Sequence, residues 1–443
     1  MTFARARSLA TLGGLALWLV AWLGRPAGLD GTAWTAISGA GGLLLLAAAA
    51  GWAGSWLYGR LRRALQRRRY RRRQAAPTTR DGSTSARAAP GRAAPARAAQ
   101  RGAPAAPATP AADLAAAALA AAGPVGCAAV LVSRDAGHPG DLGAVSSAAG
   151  RSGRRDLELT RQTRFELGSV TKVFTGLLLA DLVVQSEISL DATLGTLLQL
   201  PERAGGTITL RALATHTSGL PRLAPGWRMT ARALTADPDP YQGIGLARTV
   251  AALERHPPGA PGNFRYSNLG YQLLGAALAE ATGTSWPDLV RRRICQPLGL
   301  TATGTRADAA TARGHDRAGL PVPYWDHPLP ADGALMSCTA DLEMFLRAQL
   351  DPDRTELAEA IRLSRTSHTP GQAVRSVGLG WMLETAGSGT LAWHNGGTGG
   401  FGSFLAVASG PAQPGGIALL ANSEHSTALD VFGRRALRSL TAG

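Results

Sequence analysis

Lys172 is the only lysine in the chain; the other 45 of its 46 basic residues are arginine. Three residues before it stands Ser169, within the stretch FELGSVTKVFTG (165–176). An arginine guanidinium keeps its charge in any protein, whereas burial or nearby positive charge can bring a lysine amine to its neutral form. A neutral amine beside a serine can take the hydroxyl proton and activate the oxygen as a nucleophile without a histidine. The run VTKVFTGLLLADLVV after Ser169 reads as a helix, so the spacing puts Ser169 and Lys172 on one face at contact distance. The positive end of that helix would also favour an attacking oxyanion. Alone, the pair fits a surface helix with one solvated lysine as well as it fits a catalytic dyad.

Two further segments change the balance. In PPGAPGNFRYSNLGYQLLG (257–275) a Pro/Gly-rich loop delivers Tyr266, Ser267 and Asn268 just ahead of a helical run. A phenol close to a lysine can share its proton and act as a relay, and an asparagine amide can orient a substrate amide. The plain alternative is a packed loop tyrosine followed by an asparagine helix cap. In LAWHNGGTGGFGSFLAV (391–407), Gly396, Gly397, Gly399 and Gly400 flank Thr398 ahead of an alternating apolar strand. Glycines there mark a bulge or close approach by backbone or ligand. An edge strand with open N–H groups could form an oxyanion hole and hold an extended substrate. A glycine-rich hairpin is the plain alternative.

In the order Ser-x-x-Lys, Tyr-x-Asn and His-x-Gly-Gly-Thr-Gly-Gly, these motifs resemble the serine β-lactamase and penicillin-binding-protein superfamily. The resemblance is closest to its class C β-lactamase, DD-peptidase and esterase branch. LRALATHTSGLP (210–221), ICQPLGLTATGT (294–305), VGLGWML (377–383) and ISLDATLGTLLQLP (188–201) are similar to the same branch, so the likeness covers about 125–435. It implies that Ser169 is the acylated nucleophile and Lys172 its proton acceptor. Tyr266 would shuttle protons to the leaving group and later activate water. Asn268 would hold the substrate's amide carbonyl, with His394, Asn395, Gly396 and Thr398 completing the substrate site. The backbone N–H groups of Ser169 and Gly397 would form the oxyanion hole. The implied fold is mixed α/β, an antiparallel sheet flanked by helices with a helical lobe, and the site lies at their junction. No metal or cofactor is expected.

One departure is informative. Where many β-lactamases carry Lys-Thr-Gly, this chain has His394-Asn395-Gly396, which resembles the DD-peptidase, D-amino-acid amidase and esterase members. A neutral histidine would bind a substrate carboxylate less strongly than lysine, and its charge would change near neutral pH. Asn395 also lacks the hydroxyl often used for that carboxylate, so weak β-lactam hydrolysis is expected. His216, in THTSG, reads as a structural loop histidine. The sequence contains no Gly-x-Ser-x-Gly elbow and no His-Glu-x-x-His zinc motif.

The elements that must position these residues begin near DLAAAALAAAG (113–123), a plausible helix, and GCAAVLVS (126–133), a buried strand. Helical runs at 173–184, 269–281 and 339–350 alternate with strands at 401–408 and 416–421. Strands near both ends predict one mixed sheet built from the two termini of the body, with helices between. Cys127, Cys295 and Cys338 are odd in number and widely spaced, which fits three small buried residues rather than a disulfide framework or a zinc site.

The net charge of +16 is concentrated in a leader. Residues 1–112 hold 17 of the 46 basic residues against Asp30 and Asp81, leaving 29 basic and 28 acidic residues in 113–443. A near-neutral body argues against nucleic-acid binding. Residues 8–24 and 34–58 are uncharged and would extend about 26 and about 38 Å as helices, against a hydrocarbon core of about 30 Å. Residues 1–59 therefore read as a membrane leader with two transmembrane helices. RLRRALQRRRYRRR (60–73) carries nine arginines, which favour the cytoplasmic face and anionic lipid. An Ala/Pro-rich tether completes a linker over 60–112, followed by one catalytic body over 113–443. Cell-wall-directed relatives work outside the cytoplasm, so the resemblance points to the opposite side from the arginines. The function expected is a membrane-anchored serine hydrolase acting on a small-molecule, peptide or ester substrate. The alternative is a membrane-tethered sensor, acylated by a penicillin or cell-wall fragment without efficient turnover.

Overall fold

In the computed structural model, which describes residues 116–120, 125–134, 141–225, 239–369, 376–386, 389–410, 414–424 and 426–441, the first strand is β1 (Gly126–Arg134). Its apolar run is continuous because both faces are buried. Ala128, Val130 and Val132 enter one core, and Cys127, Ala129 and Leu131 enter another. β1 pairs with β2 (Leu142–Gly150) on one side and with β9 (Gly415–Ala421) on the other, in the register Cys127↔Ala421 to Ser133↔Gly415. Between them in sequence lie β3 (Phe165–Glu166), β4 (Met336–Ser337), β5 (Ser376–Val377), β6 (Met382–Ala386), β7 (Gly389–Gly397) and β8 (Gly402–Ser409). The main sheet runs β2-β1-β9-β8-β7-β6-β5, and β3 pairs with β4 separately.

Every pairing between these named strands is antiparallel. The two termini of the body do meet at β1–β9, but the sheet is not mixed. Successive strands from β5 to β9 follow one another through short connections, which impose antiparallel pairing. The antiparallel arrangement implied by the resemblance is therefore the one observed.

The larger core lies on the face covered by helices. α1 (Thr171–Val184) is central, with every residue from Thr171 to Leu182 buried, as expected of a helix that is apolar all round. It is followed along the chain by α2 (Leu210–Ala214), α3 (Asn268–Thr282), α4 (Thr339–Leu350) and α5 (Ala358–Arg365), and it packs against α5. α3 is capped by Ser267, whose side chain accepts the Gly270 N–H, and ends at Gly283 with φ of 63°. α4 covers β1 and β9 from this side, and α6 (Ser426–Thr441) covers β8 and β9 from the other through Leu429 and Leu437.

The predicted spans at 8–24 and 34–58, the arginine tract and the tether lie outside the described residues. Among the described residues no helix is long and apolar enough to cross a membrane.

Candidate active site

Ser169 lies in the single 3₁₀ turn Gly168–Val170 that runs directly into α1. Lys172, fully buried, donates from Nζ to Ser169 Oγ at 3.2 Å and to the Asp332 backbone carbonyl at 2.7 Å. Its Nζ also stands 5.1 Å from the Tyr266 ring centre and 5.5 Å from that of Tyr271. The three residues expected to carry the chemistry therefore converge. The segment bearing Asp332 is tied to α1 by two more bonds, Thr175 Oγ1 to the Ala331 carbonyl at 2.7 Å and Leu335 N–H to Thr171 Oγ1 at 3.1 Å.

Tyr266 is held by His216, two residues beyond the end of α2. Backbone at His216 is left-handed, with φ of 60°. Its ring lies 4.4 Å from the Tyr266 ring, and its Nδ1 accepts the Ser267 N–H at 3.1 Å. Burial, then the nearby charges of Lys172 and Arg222, hold its pKa well below the usual histidine range, which leaves Nδ1 free to accept. The structural role expected of His216 is thus a specific one, the setting of the Tyr266 loop.

Asn268 opens α3 without capping it. Its Nδ2 donates to the Tyr241 hydroxyl at 2.5 Å, while its buried Oδ1 has no partner among the described residues. Asn268 is not among the residues that line the cleft at Ser169. Tyr241 carries no motif in the sequence, and burial pushes its phenol well above the ordinary value.

The glycine-rich segment is β7 and the turn that follows. β7 is not an edge strand. It pairs with β8 from Thr390 to Gly397 and with β6 from Gly389 to Trp393. Only His394–Gly397 extend beyond β6, and these four lie against the nucleophile turn. A Cβ on Gly396 would stand 2.0 Å from the Leu167 carbonyl oxygen, and one on Gly168 would stand 2.7 Å from Gly397 N. That backbone-to-backbone approach is the physical reason for glycine at both positions, and it puts the Gly397 N–H beside the Ser169 turn.

The remaining predicted residues divide. His394 is buried, with Nδ1 bonded to the Asn395 carbonyl at 2.6 Å and Nε2 unpartnered among the described residues. Burial, then the charge of Lys172, push its pKa down to about 3. The expectation of a charge change near neutral pH is overturned; the motif shows the residue type but not its desolvation. Asn395 donates from Nδ2 to Asp430 Oδ2 at 3.4 Å. Thr398 is buried, and its hydroxyl donates to Glu166 Oε2 at 2.6 Å. Glu166 also accepts the Trp325 N–H at 2.8 Å. Burial pushes its carboxyl up to about 7 against the opposing pull of those two bonds. Neither Glu166 nor Asp332 could have been found from spacing, because their partners lie 232 and 160 residues away.

An open cleft of about 1060 Å³ reaches Ser169 and Tyr266. Asn395 to Thr398 line one wall, and Ala428, Val431 and Phe432 of α6 line another. The cysteines are all free and buried, as expected. A serine hydroxyl at the floor of a cleft, a buried amine in contact with it and a phenol beside that amine can together support acyl transfer.

The β-lactamase family model matches residues 117–442. The chain is 29% identical over 303 residues to penicillin-binding protein 4 of Amycolatopsis lactamdurans, covering 61% of this chain and 75% of that protein. It is 28% identical over 308 residues to a β-lactamase of Escherichia coli K12, covering 60% and 77%. Its fold is similar to a class C β-lactamase from Rhodobacter sphaeroides, with a TM-score of 0.61 at 22% identity over 74% of this chain and 99% of the other. It is also similar to an octameric penicillin-binding protein homologue from Pyrococcus abyssi, with a TM-score of 0.58 at 25% identity over 71% and 73%. With the family match extending over nearly all of the described body, the chain belongs to the β-lactamase family.

Proposed function

We propose that the protein is a serine hydrolase that opens an amide or ester through an acyl-enzyme on Ser169. The observation that carries this reading is the fully buried Lys172 amine 3.2 Å from Ser169 Oγ. The step requires Nζ in its deprotonated form: as Oγ attacks the substrate carbonyl carbon, its proton passes to Nζ, and the carbonyl oxygen becomes an oxyanion beside the N–H groups of Ser169 and Gly397. The leaving group takes a proton through Tyr266 and departs. Water, activated by the same pair, then attacks the acyl carbon and frees Ser169.

The His394–Asn395 corner offers no cation to a substrate carboxylate. His394 is kept neutral, and the Asn395 amide donates to a carboxylate, Asp430. A carboxylate-bearing substrate would instead have to meet Arg222, Arg317 or Arg435, which line the same cleft. The same proposal includes tethering by 8–24 and 34–58, with the arginines of 60–73 holding the body on the cytoplasmic side. A reporter fused after residue 112 tests that side.

Intact-mass measurement after mixing with p-nitrophenyl acetate or benzylpenicillin tests the chemistry. A transient acyl adduct in wild type and none in Ser169→Ala is expected. An adduct that never decays would make the protein an acylated sensor, and no adduct with either compound would count against the reading.

A further inference from the structure

Three arginines line the cleft at Ser169: Arg222, Arg317 and Arg435. Glu424 is the only acidic residue in that lining, and it already faces Arg317, with Oε1 3.7 Å from Nε. Arg222 and Arg435 are exposed and have no ion-pair partner among the described residues. The acyl transfer on Ser169 uses none of the three. Surplus positive charge concentrated in a cleft draws anions to it.

Arg222 is tied to the catalytic loop. It follows LRALATHTSGLP (210–221), and its carbonyl accepts the N–H groups of Asn268 and Leu269 at 3.0 and 3.2 Å. These two donors at the start of α3 have no partner inside the helix. The neighbouring Pro221 carbonyl accepts Ser267 Oγ at 2.7 Å. The guanidinium carbon lies 5.1 Å from the centre of the Tyr266 ring, the ring that Lys172 Nζ approaches at the same distance. Stacking on the ring restrains the guanidinium and leaves its N–H edge for an acceptor. Little rotamer freedom is then lost when an anion arrives. A single planar fork matches a carboxylate, which can accept two parallel N–H bonds.

We propose that Arg222 is a specificity-determining residue: it holds a carboxylate of the substrate at the Tyr266 side of the cleft, so that anionic esters or amides are preferred to neutral ones. The proposal rests on the acyl-enzyme reading for its kinetic consequence, but not for the binding of a carboxylate. The carboxylate thus meets charge on the loop beside Tyr266 rather than at the His394–Asn395 corner, where the ring is neutral and the amide faces Asp430.

The test compares the full-length wild type with Arg222→Gln on matched esters. The pair p-acetoxybenzoate and p-acetoxybenzamide differs by a carboxylate on the leaving group. Mono-p-nitrophenyl succinate and p-nitrophenyl butyrate place the same difference on the acyl group. In wild type, kcat/KM should favour the carboxylate member of at least one pair. Arg222→Gln should cut that preference about tenfold or more, as loss of a charged hydrogen bond would. An equal fall for both members of each pair would make Arg222 a packing partner of Tyr266 and overturn the proposal. So would a preference that survives the substitution, or a wild type with no preference. Binding of benzoate and benzamide, measured by isothermal titration calorimetry, needs no turnover. Benzoate should bind wild type more tightly than benzamide, with the difference lost in Arg222→Gln. If wild type hydrolyses none of the esters, the acyl-enzyme reading fails and the binding comparison decides alone. A difference lost in Arg222→Gln then upholds the carboxylate site, and any other result overturns it.

Discussion

Gly168 and Gly397 approach so closely that a side chain on the first would collide with the backbone nitrogen of the second, at 2.7 Å. Gly168 also has φ of 50°, a left-handed conformation that side-chain-bearing residues rarely adopt. The turn carrying the nucleophile and the strand carrying the proposed oxyanion donor are therefore built against each other through bare backbone. Gly168→Ala should push them apart. Loss of one oxyanion donor typically slows turnover by about 100-fold or more, and that is the size expected for kcat. Steady-state kinetics on a p-nitrophenyl ester, with circular dichroism to verify the fold, checks this. A variant with wild-type kcat would show that Gly397 does not act on the oxyanion.

Glu166 gives a signed prediction about stability. Its folded-state pKa of about 7 exceeds the ordinary 4.5, so between those pH values the folded state holds a proton that the unfolded state releases. Stability should consequently fall as pH rises from about 4.5 to about 7 and level off above, by about 3 kcal/mol from this group. Glu166→Gln removes the ionisation and should flatten that slope. Urea unfolding at several pH values measures it; equal slopes in the two proteins would contradict the account.

His394 is expected to stay neutral over the whole working range, because burial and the nearby Lys172 charge push it down to about 3. In NMR of protein carrying labelled histidine, the signal missing from His394→Gln identifies the residue. It should not titrate between about pH 5 and about pH 8. A midpoint within that range would show that the ring is wetter than its packing indicates, and would revive carboxylate binding at this corner.

The parts of the fold visible in sequence were those whose local pattern and burial agree. β1, α1, α3, α4, β8 and β9 are apolar over most of their length and were expected within a few residues of their observed ends. β2 was not, because LGAVSSAAG is a partly exposed edge strand of small residues with no strong alternation. The antiparallel order was implied by the resemblance but not by local pattern, since pairing depends on contacts far apart in sequence. In the site, Ser169, Lys172 and Tyr266 were legible from residue type and spacing. Environment was not. Thr398 looked like an open substrate group but gives its hydroxyl to Glu166, and His394 looked titratable but is desolvated. Tyr241 and Asp332 reach Asn268 and Lys172 through loops that carry no periodic signal.

The central claim is that Lys172 takes the proton of Ser169, and Lys172→Arg tests it most directly. The substitution keeps a positive charge next to Oγ and removes the ability to accept a proton. Hydrolysis of a p-nitrophenyl ester should be measured for both full-length proteins, with unfolding curves to match their stability. The account predicts clear turnover in wild type and a loss of about 1000-fold or more in a folded Lys172→Arg protein. Equal rates in the two proteins would contradict it and leave the lone lysine as a structural residue.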